Sequence, residues 1–100
     1  INMAYTMKTT TTKPAGKQWW NEVDPAAAQR YATFCNGFAG VVSAAGGVSQ
    51  SNANVFESTI VFTDQNACQA FAAACRSNSD WASRQAYLTS NGFTYAFQFS

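Results

Sequence analysis

The sequence predicts an α+β domain of the ferredoxin-like kind, with the element order β-α-β-β-α-β. Val55–Phe62 is rich in β-branched and aromatic residues, as a half-buried strand is. Asp64 follows at once and is a good helix N-cap. An earlier unit has the same form, since a strand over residues 3–13 precedes a helix that opens at Asp24-Pro25. Residues 93–100 alternate aromatic and small or polar side chains, which predicts a final strand.

The remaining segments complete this order. The first helix carries one apolar stripe, formed by Ala27, Tyr31, Phe34, Cys35 and Phe38. A short second strand begins at Val41, and Gly46-Gly47 weakens it, which suits an edge strand or a bulge. Residues 77–80 end the second helix and cap a further helical segment. Right-handed crossovers then place the helices on one face of an antiparallel sheet with strand order 4-1-3-2.

The composition predicts one domain over residues 1–100 that associates with a second copy of itself. Apolar residues make up 47% of the chain and charged residues only 11%, so the surface is weakly charged. The strands carry apolar residues on both sides, so we expect the open sheet face to be covered in a homodimer. The net charge of +1 and the scattered basic residues predict neither a nucleic-acid partner nor a membrane-binding surface.

Three cysteines cannot form a complete disulfide framework within the chain. Cys68 and Cys75 lie seven residues apart on one predicted helix, roughly 10 Å along its axis, which is too far for a bridge. We therefore expect Cys35, Cys68 and Cys75 to be reduced and buried. Reduced thiols and the lack of a recognisable signal peptide predict a cytoplasmic protein.

Two short motifs resemble those of a known superfamily. Residues 38–42, Phe-Ala-Gly-Val-Val, are similar to the turn from the first helix into the second strand of the dimeric α/β-barrel proteins. Residues 56–71 are similar to the strand-to-helix passage of that superfamily, which includes the antibiotic biosynthesis monooxygenases. The chain also resembles small ferredoxin-like proteins of unknown function from marine environmental sequences. The resemblance implies a homodimer whose two sheets face each other as a barrel, and it implies no particular activity.

The residue types limit the chemistry that the chain can perform. There is no histidine, which excludes Ser-His-Asp and Cys-His catalysis and histidine ligation of haem or metal. No phosphate loop or dinucleotide fingerprint occurs, so we expect no cofactor. The acids are dispersed, and Asp24, Asp64 and Asp80 are each interpreted as helix caps, so no metal site is predicted.

Four residues are candidates for a catalytic or binding site: Glu57, Trp81, Arg84 and Tyr87. Glu57 lies in mid-strand on the predicted dimer face, either as a buried acid lining a pocket or as a rim charge paired with Lys8 or an arginine across the sheet. The resemblance implies that tryptophan, tyrosine and arginine side chains line a cavity for an aromatic ligand. The alternative is that these aromatic residues are packing and dimer contacts.

Two functions remain open from the sequence. The first is a small homodimeric binding or structural protein without catalysis. The alternative is a cofactor-independent monooxygenase or isomerase that acts on a small aromatic substrate. A cavity filled by side chains favours the first, whereas a cavity lined by polar groups as well as aromatics favours the second.

Overall fold

A computed structural model describes residues 4–100 and confirms the predicted architecture. The elements in chain order are β1 (Tyr5–Thr12), α1 (Trp20–Val23), α2 (Pro25–Gly37), β2 (Val41–Val48), β3 (Val55–Phe62), α3 (Gln65–Arg76), α4 (Ser79–Ser90) and β4 (Thr94–Phe99). The four strands form one antiparallel sheet in the order β2-β3-β1-β4, which is the predicted 4-1-3-2 arrangement. The predicted start of the first strand at residue 3 lies outside the described residues. The short helix α1 is an addition to the predicted order.

Side-chain caps explain where the longer helices begin. The Ala27 N–H donates to Asp24 Oδ1 at 3.1 Å, and the Ala67 N–H donates to Asp64 Oδ1 at 2.8 Å, as predicted. The prediction that Asp80 is a cap is wrong. Asn78 caps α4 by accepting from the Trp81 N–H at 2.9 Å.

Asp80 lies instead in the first turn of α4, where its carboxylate joins this helix to α2. Arg30 donates to it through Nη2 at 2.9 Å and through Nε at 3.1 Å. Two N–H groups of one guanidinium thus bind one carboxylate across 50 residues of sequence. A carboxylate in the first turn of a helix also interacts favourably with the helix dipole, so Asp80 supports α4 in two ways.

The edge strand β2 runs further than predicted, through both glycines to Val48. Its irregularity lies between Val41 and Ser43, not at the glycines. Gly46 is accommodated within the strand because Phe56 of β3 lies against it. A Cβ at Gly46 would be only 2.9 Å from Cε1 of Phe56, so glycine lets the neighbouring aromatic ring lie close to the backbone.

The two faces of the sheet bear different kinds of side chain. The open face bears mainly threonine and small residues, and Val55 and Val61 are half-buried there. The large exposed side chains lie on the helix-facing side of β4, where Tyr95, Phe97 and Phe99 remain 43%, 52% and 49% exposed. The helices leave this side of β4 uncovered, so the largest exposed apolar side chains of the sheet lie here and not on its open face.

Two hydrophobic clusters lie between the helices and the sheet. The larger contains Cys35, Ile60, Phe62, Cys68, Phe71 and Cys75, and the smaller contains Trp19, Leu88 and Phe93. Helix α2 packs on β2, and α3 packs on β1 and β3. Helix α4 packs mainly on the other helices rather than on the sheet. The space left between α4 and the sheet is where the candidate site lies.

None of the helices within residues 4–100 has the length and apolar character that a membrane span requires.

Candidate functional site

A cavity of about 700 Å³ lies between the helices and the sheet. Its floor is formed by the helix-facing residues of the central strands, including Thr9, Thr11 and Ser58, and its roof by α2, α3 and α4. Residues of both hydrophobic clusters, such as Phe71 and Leu88, contribute to its walls. This volume is in the range of cavities that hold a small molecule of one to a few rings.

Arg84 supplies a positive charge to this cavity. It lies on α4, one turn after Trp81, so both side chains point from the helix toward the sheet. Its Nη1 donates to Gln85 Oε1 at 3.0 Å. Burial lowers the pKa of Arg84, whose side chain is half-buried. Within residues 4–100, no carboxylate forms an ion pair with it.

Tyr31 and two cysteines lie close to this guanidinium. The Tyr31 hydroxyl is 4.0 Å from Cys75 Sγ, and Cys35 follows Tyr31 by one turn on the same face of α2. Burial raises the pKa of Tyr31, and it raises the pKa of Cys75 from 9.0 to about 11. Burial also raises the pKa of Cys35. These three groups therefore keep their protons at neutral pH.

The cavity reaches the surface beside β4. Tyr95 and Phe97 line it and are also about half exposed, so they form an aromatic rim. Gln85 Nε2 donates to the Tyr95 hydroxyl at 3.3 Å, which connects α4 to this strand. A molecule entering from solvent would therefore pass along aromatic side chains before it meets Arg84.

The structure separates the four predicted site residues into three locations. Trp81 and Arg84 both line the cavity. Tyr87 does not, because its hydroxyl donates to the Gln18 carbonyl and its ring packs against Phe93 in the smaller hydrophobic cluster. Tyr87 thus connects α4 to the segment that precedes α1.

Glu57 lies on the opposite side of the sheet from the cavity. Its neighbours across the sheet are Thr10 on β1 and Gly47 on β2, and its side chain is exposed. The ion pair with Lys8 that the sequence allowed is not formed within residues 4–100. Glu57 therefore cannot act on a molecule inside the cavity of its own protomer.

Sequence reasoning missed several cavity residues because it assigned them to the core. Tyr31 and Cys35 were part of the predicted apolar stripe and Cys75 was expected to be buried, and all three do lie beside the core. The Tyr31 hydroxyl nevertheless faces the two sulfur atoms at the cavity. Thr9 and Thr11 were interpreted as ordinary strand residues and are buried beneath it. The sequence pattern that could have revealed them is the alternation in β1, which puts Thr9 and Thr11 on the same, helix-facing side as Tyr5 and Met7.

The described residues contain no cluster suited to a metal ion. No group of three or more histidine, cysteine, aspartate or glutamate side chains comes together within residues 4–100. Cys35 and Cys75 line the cavity together with Arg84, whose positive charge repels a cation.

Comparison with solved structures relates this fold to antibiotic biosynthesis monooxygenase-like proteins. SnoaB from Streptomyces nogalater, a cofactor-independent oxygenase, superimposes with a TM-score of 0.69 at 16% identity, over 97% of this chain and 90% of that one. A Deinococcus radiodurans protein, named provisionally as an antibiotic biosynthesis monooxygenase, gives 0.73 at 11% identity, over 96% and 89%. A Bacteroides thetaiotaomicron protein of unknown function, named a possible oxidoreductase, gives 0.72 at 10% identity, over 100% and 98%.

The chain has the fold of these proteins. That agrees with the resemblance carried by residues 38–42 and 56–71. No protein-family model matches the chain, and no curated protein matches it in sequence. At these identities the likeness extends to the fold alone, so the cavity has to be interpreted from its own residues.

Proposed function

We propose that the protein binds a small aromatic molecule in the cavity between its helices and its sheet. The observation that carries this proposal is the unfilled volume of about 700 Å³ beside Trp81 and Arg84. A purely structural domain of this size normally fills its interior, because empty space loses packing contacts and destabilises the fold. The open cavity therefore favours a binding protein over a structural one.

The walls of the cavity suit a flat, mostly apolar ligand. Aromatic rings of Trp20, Tyr31 and Phe56 line it together with Trp81, and such rings stack on other aromatic rings. A few polar groups, including Thr9 and Ser58, are placed among them. A largely apolar cavity with a few convergent polar groups is the usual form of a small-molecule site.

Ligand binding is tested by narrowing the cavity with a single substitution. Ser58 faces the cavity from β3, so Ser58→Phe places a ring inside it. Ser83→Phe is the matched control, because Ser83 is exposed on α4 and does not line the cavity. The probes are 1-naphthol and naphthalene-1,4-diol, and the readout is the thermal unfolding midpoint.

A ligand at 100 times its Kd adds about 2.7 kcal/mol to the stability of the protein. We expect the wild type and Ser83→Phe to be stabilised by these probes, and Ser58→Phe to lose that stabilisation. Equal stabilisation of the two variants, or none of the wild type, would contradict the proposal.

A second candidate function is cofactor-independent oxygenation of the bound molecule. It is favoured by polar groups, including Arg84, that lie beside aromatic rings in the cavity, and by the shared fold with SnoaB. In such a reaction the substrate supplies the electrons. A benzene-1,4-diol and one dioxygen would give a hydroxyquinone and one water. One oxygen atom is then attached to the ring as a hydroxyl group, and the other is reduced to water.

An oxygen electrode together with mass spectrometry of the product distinguishes the two functions. Oxygen uptake with naphthalene-1,4-diol above the rate of its spontaneous oxidation, with 2-hydroxy-1,4-naphthoquinone as the product, would establish oxygenation if Ser58→Phe abolishes it and Ser83→Phe retains it. Stabilisation by the probe without such uptake would establish a binding protein that does not catalyse this reaction.

A further inference from the structure

We infer that the molecule bound in the cavity is an aromatic carboxylate, and that Arg84 binds its carboxylate group. This inference rests on the proposed function and names the class of ligand. It is carried by the surroundings of Arg84, which offer this cation no negative partner.

All five acidic side chains of the chain are engaged elsewhere or lie on the other side of the sheet. Asp24 and Asp64 accept from helix N-termini, and Asp80 pairs with Arg30. Glu22 accepts from the Trp19 N–H at 2.9 Å. Glu57 is exposed on the open face. None of the five lines the cavity.

Arg84 consequently keeps most of its donors free for a ligand. A guanidinium has five N–H donors, and the contact with Gln85 Oε1 uses one of its terminal nitrogens. Taking such a cation out of water without a partner is unfavourable, so a buried arginine is normally paired. An anionic ligand would provide the missing partner and would displace water from the cavity beside Arg84.

The groups around Arg84 favour an anion as well. Tyr31, Cys35 and Cys75 are neutral at pH 7 and each carries a proton that it can donate. Deprotonation of any of them would supply the negative charge internally, but burial opposes it. The polar end of the cavity is therefore a cluster of donors around one positive charge.

The shape of the guanidinium selects the kind of anion. Its planar fork donates two parallel hydrogen bonds to a carboxylate, as Arg30 does to Asp80 on the surface of this protein. The aromatic walls would hold the ring of the ligand, and Arg84 would hold its carboxylate. A neutral amide of the same shape would fit the walls but lack the charge.

The experiment compares 1-naphthoate with 1-naphthamide by isothermal titration calorimetry at pH 7. The first is an anion and the second its neutral counterpart of nearly equal size. The variants are Arg84→Met, which removes the charge, and Arg84→Lys, which keeps it without the fork. Lys17→Met is the control, because it removes one positive charge from an exposed position outside the cavity.

We expect the wild type and Lys17→Met to bind 1-naphthoate at least tenfold more tightly than 1-naphthamide. Arg84→Met should lose this preference while its Kd for 1-naphthamide changes less than threefold, and Arg84→Lys should retain part of it. If Arg84→Met does not fold, the wild-type comparison still tests the class of ligand and Arg84→Lys still tests the residue. Equal binding of the two compounds by the wild type would overturn the inference and leave the proposed function standing, whereas binding of neither would overturn both.

Discussion

Gly40 and Ala67 touch where the turn into β2 meets the first turn of α3. A Cβ built on Gly40 would lie 2.6 Å from the Ala67 Cβ, well inside van der Waals contact. Gly40 also has a φ of +93°, in the left-handed region that other residues rarely adopt. Both the backbone conformation and the available space therefore require glycine at this position.

We expect Gly40→Ala to destabilise the protein by about 2–4 kcal/mol, since a positive φ costs about 1–2 kcal/mol and overpacking costs a similar amount. Two alanine variants separate these causes. Gly16 has a φ of +84° but no atom near its missing Cβ, so Gly16→Ala should cost only about 1–2 kcal/mol. Gly37 lies in α2 with open space around it, so Gly37→Ala should be neutral or slightly stabilising.

Chemical denaturation measures all three free energies of unfolding. Equal losses in Gly40→Ala and Gly16→Ala would show that the contact with Ala67 is unimportant.

The prediction of the fold succeeded where local sequence determines structure. The boundaries of β3 agree residue for residue with the sequence prediction, because a β-branched run ends directly at the capping residue Asp64. The start of α4 was predicted less well. Asn78, Ser79 and Asp80 are all good capping residues, and only the three-dimensional position of Arg30 shows why Asp80 turns away from the helix end.

The site was predicted less completely because it depends on packing between distant elements. Trp81 and Arg84 were identified from residue type, and the helical spacing places them on one side. Tyr31 and Cys75 are 44 residues apart, and nothing in either local pattern indicates that their polar atoms meet. The cavity itself results from α4 packing on helices rather than on the sheet, which no local pattern encodes.

A substitution at Asn78 tests whether this residue, and not Asp80, caps the N-terminus of α4. We expect Asn78→Ala to lower the free energy of unfolding by about 1 kcal/mol, because the Trp81 N–H loses its acceptor. Ser77→Ala, one residue earlier, is the control and should have little effect. Thermal and urea denaturation provide the measurement, and a larger effect from Ser77→Ala than from Asn78→Ala would contradict the assignment of the cap.

Stability should decrease as the pH rises above about 9. The unfolded chain releases the Cys75 proton near pH 9.0, whereas the folded protein retains it to about pH 11. Between these values the folded state binds more protons than the unfolded state, so raising the pH favours unfolding. Burial raises the pKa of Tyr31, Cys35 and Cys68 as well, and these groups act in the same direction.

Urea midpoints measured from pH 7 to pH 11 check this dependence. One thiol can contribute at most about 1.4 kcal/mol per pH unit. We expect Cys75→Ala to be less stable than the wild type at pH 7 but to show a shallower decline above pH 9. A decline of the same slope in both proteins would exclude Cys75 as a cause.

A thiol reagent at pH 8 should label the native protein far more slowly than the urea-unfolded chain, because all three cysteines are buried.

The open face of the sheet is the surface through which we expect two copies to associate. Thr59 and Val61 are only half-buried in the protomer, and Lys8 and Glu57 are the charged residues among the strand positions of this face. Two such faces bury few charges when they pack, and the cost of removing those charges from water is offset if Lys8 of one copy pairs with Glu57 of the other. This arrangement would also give Glu57 a partner that its own protomer does not supply.

If the wild type is the expected homodimer, Thr59→Arg should be a monomer, since it adds a positive charge to the middle of the face in both copies at once. Thr89→Arg makes the same change at an exposed position on α4 and should leave the dimer intact. Light scattering coupled to size-exclusion chromatography at micromolar concentration gives the mass directly. A monomeric wild type would refute the association. A dimeric Thr59→Arg would show that the interface lies on another surface. The next surface to test by substitution with arginine is then the exposed side of β4 at Phe97 and Phe99.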